Sequence, residues 1–326
     1  MYSQWVAILC ACGIVVGCSS EPAPEQVESS TEQAAAPVAS APPSASLPDI
    51  IVAERGGFIP EGVEYDMKNG RLLTGSLSEG SVYQVHGDGR VSEFVADAEL
   101  VSSVGIEADE LRDRLFVANA DRSVFQGEEA GQAKLGVYNL TTGDRIAMVD
   151  LAATVVDPPD GSAYFANDVA VADDGTAYVT DTRMNVIYKV TTAYEASVLH
   201  SFDDDGAGPN GIVHHPEGYL LVARGATLWK VPTGDPSDAA EVTLPEEITG
   251  QDGMVWSAMR LAIVSNDANR VVALTSQDEW MSAEVAGVAA YETQATTAAV
   301  VGDEIYVVHP HFADEEPPTV ERVELQ

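Results

Sequence analysis

The stretch Asn167 to Asp181, Asn-Asp-Val-Ala-Val-Ala-Asp-Asp-Gly-Thr-Ala-Tyr-Val-Thr-Asp, decides the fold. A polar residue opens it, an alternating apolar run follows, and Asp174-Gly175 separates that run from a second one. Apolar residues at every second position pleat one face of each run inward, and an Asp-Gly pair offers the positive φ of a tight turn. The stretch reads as a β-hairpin.

The same design recurs along the chain. Glu61-Gly62-Val63 leads to Leu72-Leu73-Thr74, Ser103-Val104-Gly105-Ile106 to Leu115–Asn119, and Asn210-Gly211-Ile212-Val213 to Leu220–Ala223. Asp252-Gly253-Met254-Val255 leads to Leu261–Val264, and Thr297–Val301 to Ile305–Val308. The lead positions 61, 103, 167, 210, 252 and 297 are spaced by 42, 64, 43, 42 and 45 residues. Third-strand runs follow the hairpins as Val82-Tyr83-Gln84-Val85, Val137-Tyr138-Asn139-Leu140, Ile187-Tyr188-Lys189-Val190 and Leu228-Trp229-Lys230-Val231. Six copies of about 46 residues each match four-stranded propeller blades. The predicted fold is therefore all-β: a six-bladed β-propeller of four-stranded blades over residues 49–326. After the sixth hairpin only Val320 to Leu325 remains, so the N-terminal strand Asp49 to Ala53 is expected to join the last blade and close the ring. The wide gap, about 120–165, is expected to hold loop insertions.

Residues 1–17 form an apolar segment too short to span a bilayer and of signal-peptide length. Val15-Val16-Gly17-Cys18 resembles a bacterial lipobox, although no Lys or Arg precedes Arg55. Cys10 and Cys12 lie inside this signal, which leaves Cys18, the expected lipidation site, as the only mature thiol. Residues 18–48 are rich in Pro, Ala, Ser and Glu and read as a tether that cannot bury enough surface to fold. The expected location is the cell envelope, lipid-anchored at the outer membrane, with the anchor as the only membrane contact. A net charge of −36 and a pI near 4.1 exclude nucleic acid as a partner. A closed ring carries the expectation of a monomer.

Innermost strands aim their lead residues at one axis. Glu61, Ser103, Asn167, Asn210, Asp252 and Thr297 would meet at the channel mouth, and the second-strand ends Asn119, Asp181, Arg224, Asn266, Asp267 and His309 return to the same face. Two carboxylates and two amides at one point call either for a cation, with calcium or another divalent ion suiting hard oxygen donors, or for a purely structural polar plug. Arg224 reads as a contact for an anionic group or as a salt-bridging residue, and His309 as an acid or base or as a hydrogen-bonded rim histidine.

Pro60-Glu61-Gly62, Phe165-Ala166-Asn167-Asp168, Pro209-Asn210-Gly211 and Gln251-Asp252-Gly253 stand in the order and blade positions of a known pattern. In them the chain resembles the gluconolactonase and senescence-marker-protein family of calcium-dependent six-bladed propellers. The resemblance implies Glu61, Asn210 and Asp252 as metal ligands, Asn167 as a substrate-holding catalytic residue and Asp252 as proton acceptor. Where sugar-lactonase members place an Arg, this chain has Phe165, which directs the expectation away from aldonolactones. Two functions follow: a calcium-dependent hydrolase of a lactone or related ester acting on a small molecule, with Arg224, His309 and Asp181 near the substrate, or a non-catalytic ligand-binding or scaffold propeller.

Overall fold

A computed structural model of the chain describes residues 47–127, 130–312 and 316–326. The signal segment, Cys18 and nearly all of the tether lie outside these residues. Among the described residues no helix is long and apolar enough to cross a membrane.

The strands form six antiparallel sheets radiating from one axis. The first blade comprises Val63–Asp66, Arg71–Thr74, Val82–Val85 and Val91–Val95, and the second comprises Ser102–Asp109, Arg114–Ala120, Lys134–Asn139 and Arg145–Asp150. Tyr164–Val171, Ala177–Asp181, Val186–Val190 and Ala196–Ser201 make the third, and Ile212–His215, Tyr219–Arg224, Thr227–Pro232 and Ala240–Val242 the fourth. The fifth is built of Gln251–Ser257, Arg260–Ser265, Arg270–Thr275 and Glu284–Ala290. Ala298–Val301, Glu304–His309 and Thr319–Val323 begin the sixth, and Ile50–Val52 completes it.

Burial explains the composition of each layer. Second strands are covered on both faces by neighbouring blades, so Arg114–Ala120 and Tyr219–Arg224 are buried at every position. Such strands read as continuous apolar runs rather than alternating ones. Outermost strands such as Glu284–Ala290 meet solvent and are largely exposed. The wide gap resolves into the two outer strands of the second blade and two excursions, 121–133 and 151–163. The first excursion carries the 3₁₀ turn Arg122–Gln126 and the short strand Gly131–Gln132, which runs parallel to Tyr164–Val171.

A side chain at each second-strand end is tied to the loop that feeds the first strand of its own blade. Ser76 Oγ donates to the Phe58 carbonyl, Val101 N–H to Asn119 Oδ1 and Phe165 N–H to Asp181 Oδ1. Arg224 Nε donates to the Ala207 carbonyl, Ser265 Oγ to that of Thr249, and His309 Nδ1 meets that of Gln294. Six different residues thus play the same part, each fixing the loop that presents the lead residue of its blade.

The closing strand registers Ile50, Ile51 and Val52 against Glu321, Val320 and Thr319, with Ile51 buried and its two neighbours exposed. Ile51→Ala is expected to destabilise the domain by about 2–4 kcal/mol in urea unfolding, whereas Val52→Ala changes it by less than about 0.5 kcal/mol. Equal effects would mean that the strand does not close the ring.

Candidate functional site

Of the mouth residues, Asp252 is the best supported. It is buried, accepts a 2.8 Å hydrogen bond from Asn266 Nδ2, and has the Asn210 side chain near enough to favour its charged form. Burial nevertheless pushes its pKa up to about 7, with the Asp267 charge adding to the rise and the two amides opposing it. Glu61 is equally buried, and burial, then Asp252 and Asp168, hold its carboxyl well above the ordinary range. The two carboxylates therefore sense each other across the axis, with the Asn210 amide against one of them. Asn167 lies on the same ring, its Nδ2 donating to Thr182 Oγ1 at 2.8 Å, and that hydroxyl donates to the Pro209 carbonyl next to Asn210. Ser103 Oγ is turned back to the Gly80 carbonyl.

The other expected substrate contacts are engaged elsewhere. Asp181 is fully buried: Oδ1 accepts the backbone N–H groups of Phe165, Arg183 and Met184, and Oδ2 the Tyr188 hydroxyl at 3.0 Å. Arg224 makes a two-pronged ion pair with Asp204, 2.7 and 3.0 Å, and its guanidinium lies 4.0 Å from the Phe202 ring centroid. His309 is buried between the Gln294 carbonyl and Glu321 Oε2, each at 3.2 Å. Asn119 holds the Val101 N–H and the Glu99 carbonyl. These four side chains serve as anchors of the lead loops, and among the expected second-strand contributors only Asn266 hydrogen-bonds a lead carboxylate.

The structure adds three carboxylates that the repeat pattern did not single out. Beyond the lead ring the channel holds a cavity of about 250 Å³ lined by Glu64, Glu107 and Asp168 among apolar residues. Asp168 accepts the Val169 and Ile212 N–H groups, yet burial raises it to about 7. Burial and then the Asp168 charge raise Glu107 to about 8, and burial followed by Glu107 does the same to Glu64, well above the ordinary range. β-Bulges explain why strict alternation missed two of them: the first strands of the second and third blades, which carry Glu107 and Asp168, shift register between Ser103 and Ile106 and between Ala166 and Val169, whereas Glu64 lies on a strand of unbroken register between the apolar Val63 and Tyr65. A bulge re-aims the side chains after it. The available signal was an acidic residue inside an apolar inner strand, as in Ser102–Asp109.

Above this column Phe165 is buried, with the exposed Phe125 of the 3₁₀ turn packed edge-on at 4.8 Å between ring centroids. Among the described residues no three His, Cys, Asp or Glu side chains form a group fit to hold a metal ion. The oxygen set at hand is Glu61, Asp252 and the Asn210 amide, two carboxylates and one neutral donor. Its chemistry, hard oxygen with like charges buried together, suits a divalent cation completed by further oxygen ligands.

Raised carboxyl pKa values set the sign of a pH effect. Between the ordinary value of 4.5 and about 8, folded Glu107 retains a proton that the unfolded chain releases, so its burial costs more as pH rises through that window. The loss is on the order of a few kcal/mol. In chelator, Glu107→Gln is expected to flatten the fall in Tm between pH 5 and 8 and to melt higher than the parent at pH 8. Parallel curves for the two proteins would contradict the burial argument.

Neither a known family's sequence profile nor any curated protein matches this chain. Solved structures do share its fold. The major allergen Mala s 1 of Malassezia sympodialis is 18% identical, with 86% of this chain and 97% of that one covered, at a TM-score of 0.68. A gluconolactonase from Xanthomonas campestris is 14% identical over 85% of this chain and 89% of its own, at 0.57, and a luciferin-regenerating enzyme is 12% identical over 84% and 94%, at 0.59. The chain thus has the six-bladed propeller fold found in gluconolactonase and luciferin-regenerating enzyme, and at these identities the likeness is one of fold.

Proposed function

We propose that this chain is a calcium-dependent hydrolase of an uncharged lactone or related ester. The observation that carries the reading is the pairing of Glu61 with Asp252: both are buried at the channel mouth, and each raises the cost of ionising the other. A cation held by Glu61, Asp252 and Asn210 would relieve that cost and, once bound, polarise the ester carbonyl. Asp252 then serves as the base. Asn266 fixes one of its oxygens, which orients the other towards an attacking water. Asn167, with Nδ2 committed to Thr182, keeps its carbonyl oxygen as an acceptor for a substrate hydroxyl or water.

Charge narrows the substrate. Five carboxylates along one channel repel an anion, so the substrate is neutral and the carboxylate product is driven out. In this reading the enzyme is a monomer anchored through Cys18 in the cell envelope. A second reading, a propeller that binds without turnover, is favoured by the structural commitments of His309 and Arg224, which leave no evident acid for the departing alkoxide.

A panel of lactones and aryl esters, assayed with added calcium and with chelator, separates the two. Calcium-dependent turnover is expected, with Asp252→Asn lowering kcat by at least about 100-fold and Glu61→Gln raising the calcium concentration required. Calcium binding without turnover on any member of the panel would favour the binding reading.

A further inference from the structure

The second strongest chemical feature lies at the opposite end of the channel, where the hairpin turns of the fourth and fifth blades meet. There a groove of about 540 Å³ is walled by Trp256, Trp280, His215 and Met259. Trp256 and Trp280 stand edge-on with ring centroids 5.7 Å apart, and His215 stacks on Tyr219 at 4.4 Å. Met259 at the rim is 88% exposed. Three non-glycine residues of the groove's turns, Ala258, Glu279 and Trp280, adopt positive φ of 55°, 57° and 62°. Such conformations cost free energy and cluster at ligand sites.

The groove adjoins the carboxylate cavity, with His214 and Trp256 standing in the walls of both. Among the described residues neither space has a Lys or Arg in its wall. The ammonium of Lys230 sits over the outer face of Tyr219 and donates to the Glu279 carbonyl. The cavity bearing Glu64, Glu107 and Asp168 therefore has an aromatic wall, Trp256. Desolvated carboxylates select positive charge, and indole faces attract both cations and apolar bodies.

We propose that this end of the propeller binds a small organic cation, an ammonium on an aromatic or alkyl body, with the ammonium among Glu64, Glu107 and Asp168 and the body against Trp256. The site is separate from the Glu61–Asp252 mouth, and it stands whether or not the mouth hydrolyses esters. Charge and apolar surface would be read by different walls, so their contributions can be pulled apart.

The test is calorimetry on the full-length protein with 3-phenylpropylammonium, its neutral counterpart 3-phenylpropanol and its anionic counterpart 3-phenylpropanoate. The ammonium is expected to bind at least about tenfold more tightly than the alcohol, and the carboxylate not at all. Glu107→Gln should weaken the ammonium about tenfold and leave the alcohol unchanged, whereas Trp256→Leu should weaken both. Glu64→Gln repeats the charge arm should the first variant fold poorly. Equal affinity for amine and alcohol, no binding of the amine, or binding indifferent to both carboxylate variants would overturn the proposal.

Discussion

Six strands that begin around one axis force their first polar side chains into one another's field; here two of the six, Glu61 and Asp252, are acids, and three more acids follow on the same six strands. Glu61, Asp252, Asp168, Glu107 and Glu64 descend the channel in one electrostatically linked column, with burial as the leading cause of every shift. Retaining two buried and three half-buried carboxyls in one channel costs stability unless protons or cations share the site. No packing requirement explains them, because apolar residues fill the same layers elsewhere along the inner strands. Their presence is therefore a chemical feature of the channel rather than a consequence of the fold.

Close approach at the axis also sets the glycines beside the lead residues. A Cβ on Gly211 would run into the Asp252 carbonyl, and one on Gly253 into the Thr297 side chain. Neither glycine is needed for positive φ. Both are needed because adjacent first strands come within backbone contact. That contact brings Asn210 to Asp252, and the same crowding leaves little freedom for the carboxylates to relax apart. The six loop ties act in the same direction, since a lead residue held by a buried second-strand partner cannot swing away when its charge is unfavourable.

Much of this was legible in the sequence because it is local. A repeat of 42 to 45 residues, hairpins with Gly at their turns and a final blade one strand short are properties of neighbouring residues, and Ile50–Val52 does complete the sixth blade. The meeting of Asn210 with Asp252 was legible from repeat position alone. What did not show was direction. Asp181, Arg224 and His309 stand at the expected strand ends, but whether such a side chain turns to the axis or back to its own loop depends on partners 15 to 17 residues away. Asp168 and Glu107 escaped because bulges break the alternation by which inward positions are counted; Glu64 stands on a regular strand, at the phase opposite its apolar neighbours Val63 and Tyr65.

The column of acids divides the channel into two chemical environments. At the mouth Asn266 hydrogen-bonds Asp252, and the Asn210 amide beside it also favours its charged form. Deeper in, Asp168 keeps two backbone donors, while Glu107 and Glu64 beyond it are raised by burial first and by neighbouring carboxylates second. A cation at either end lowers the cost of ionising the next acid along, so occupancy at one end raises the affinity for positive charge at the other only through protons released between them. Like charges bound at both ends repel directly as well. Were cations held at both the mouth and the groove, as proposed, the balance of these two terms would couple them without any movement of the blades.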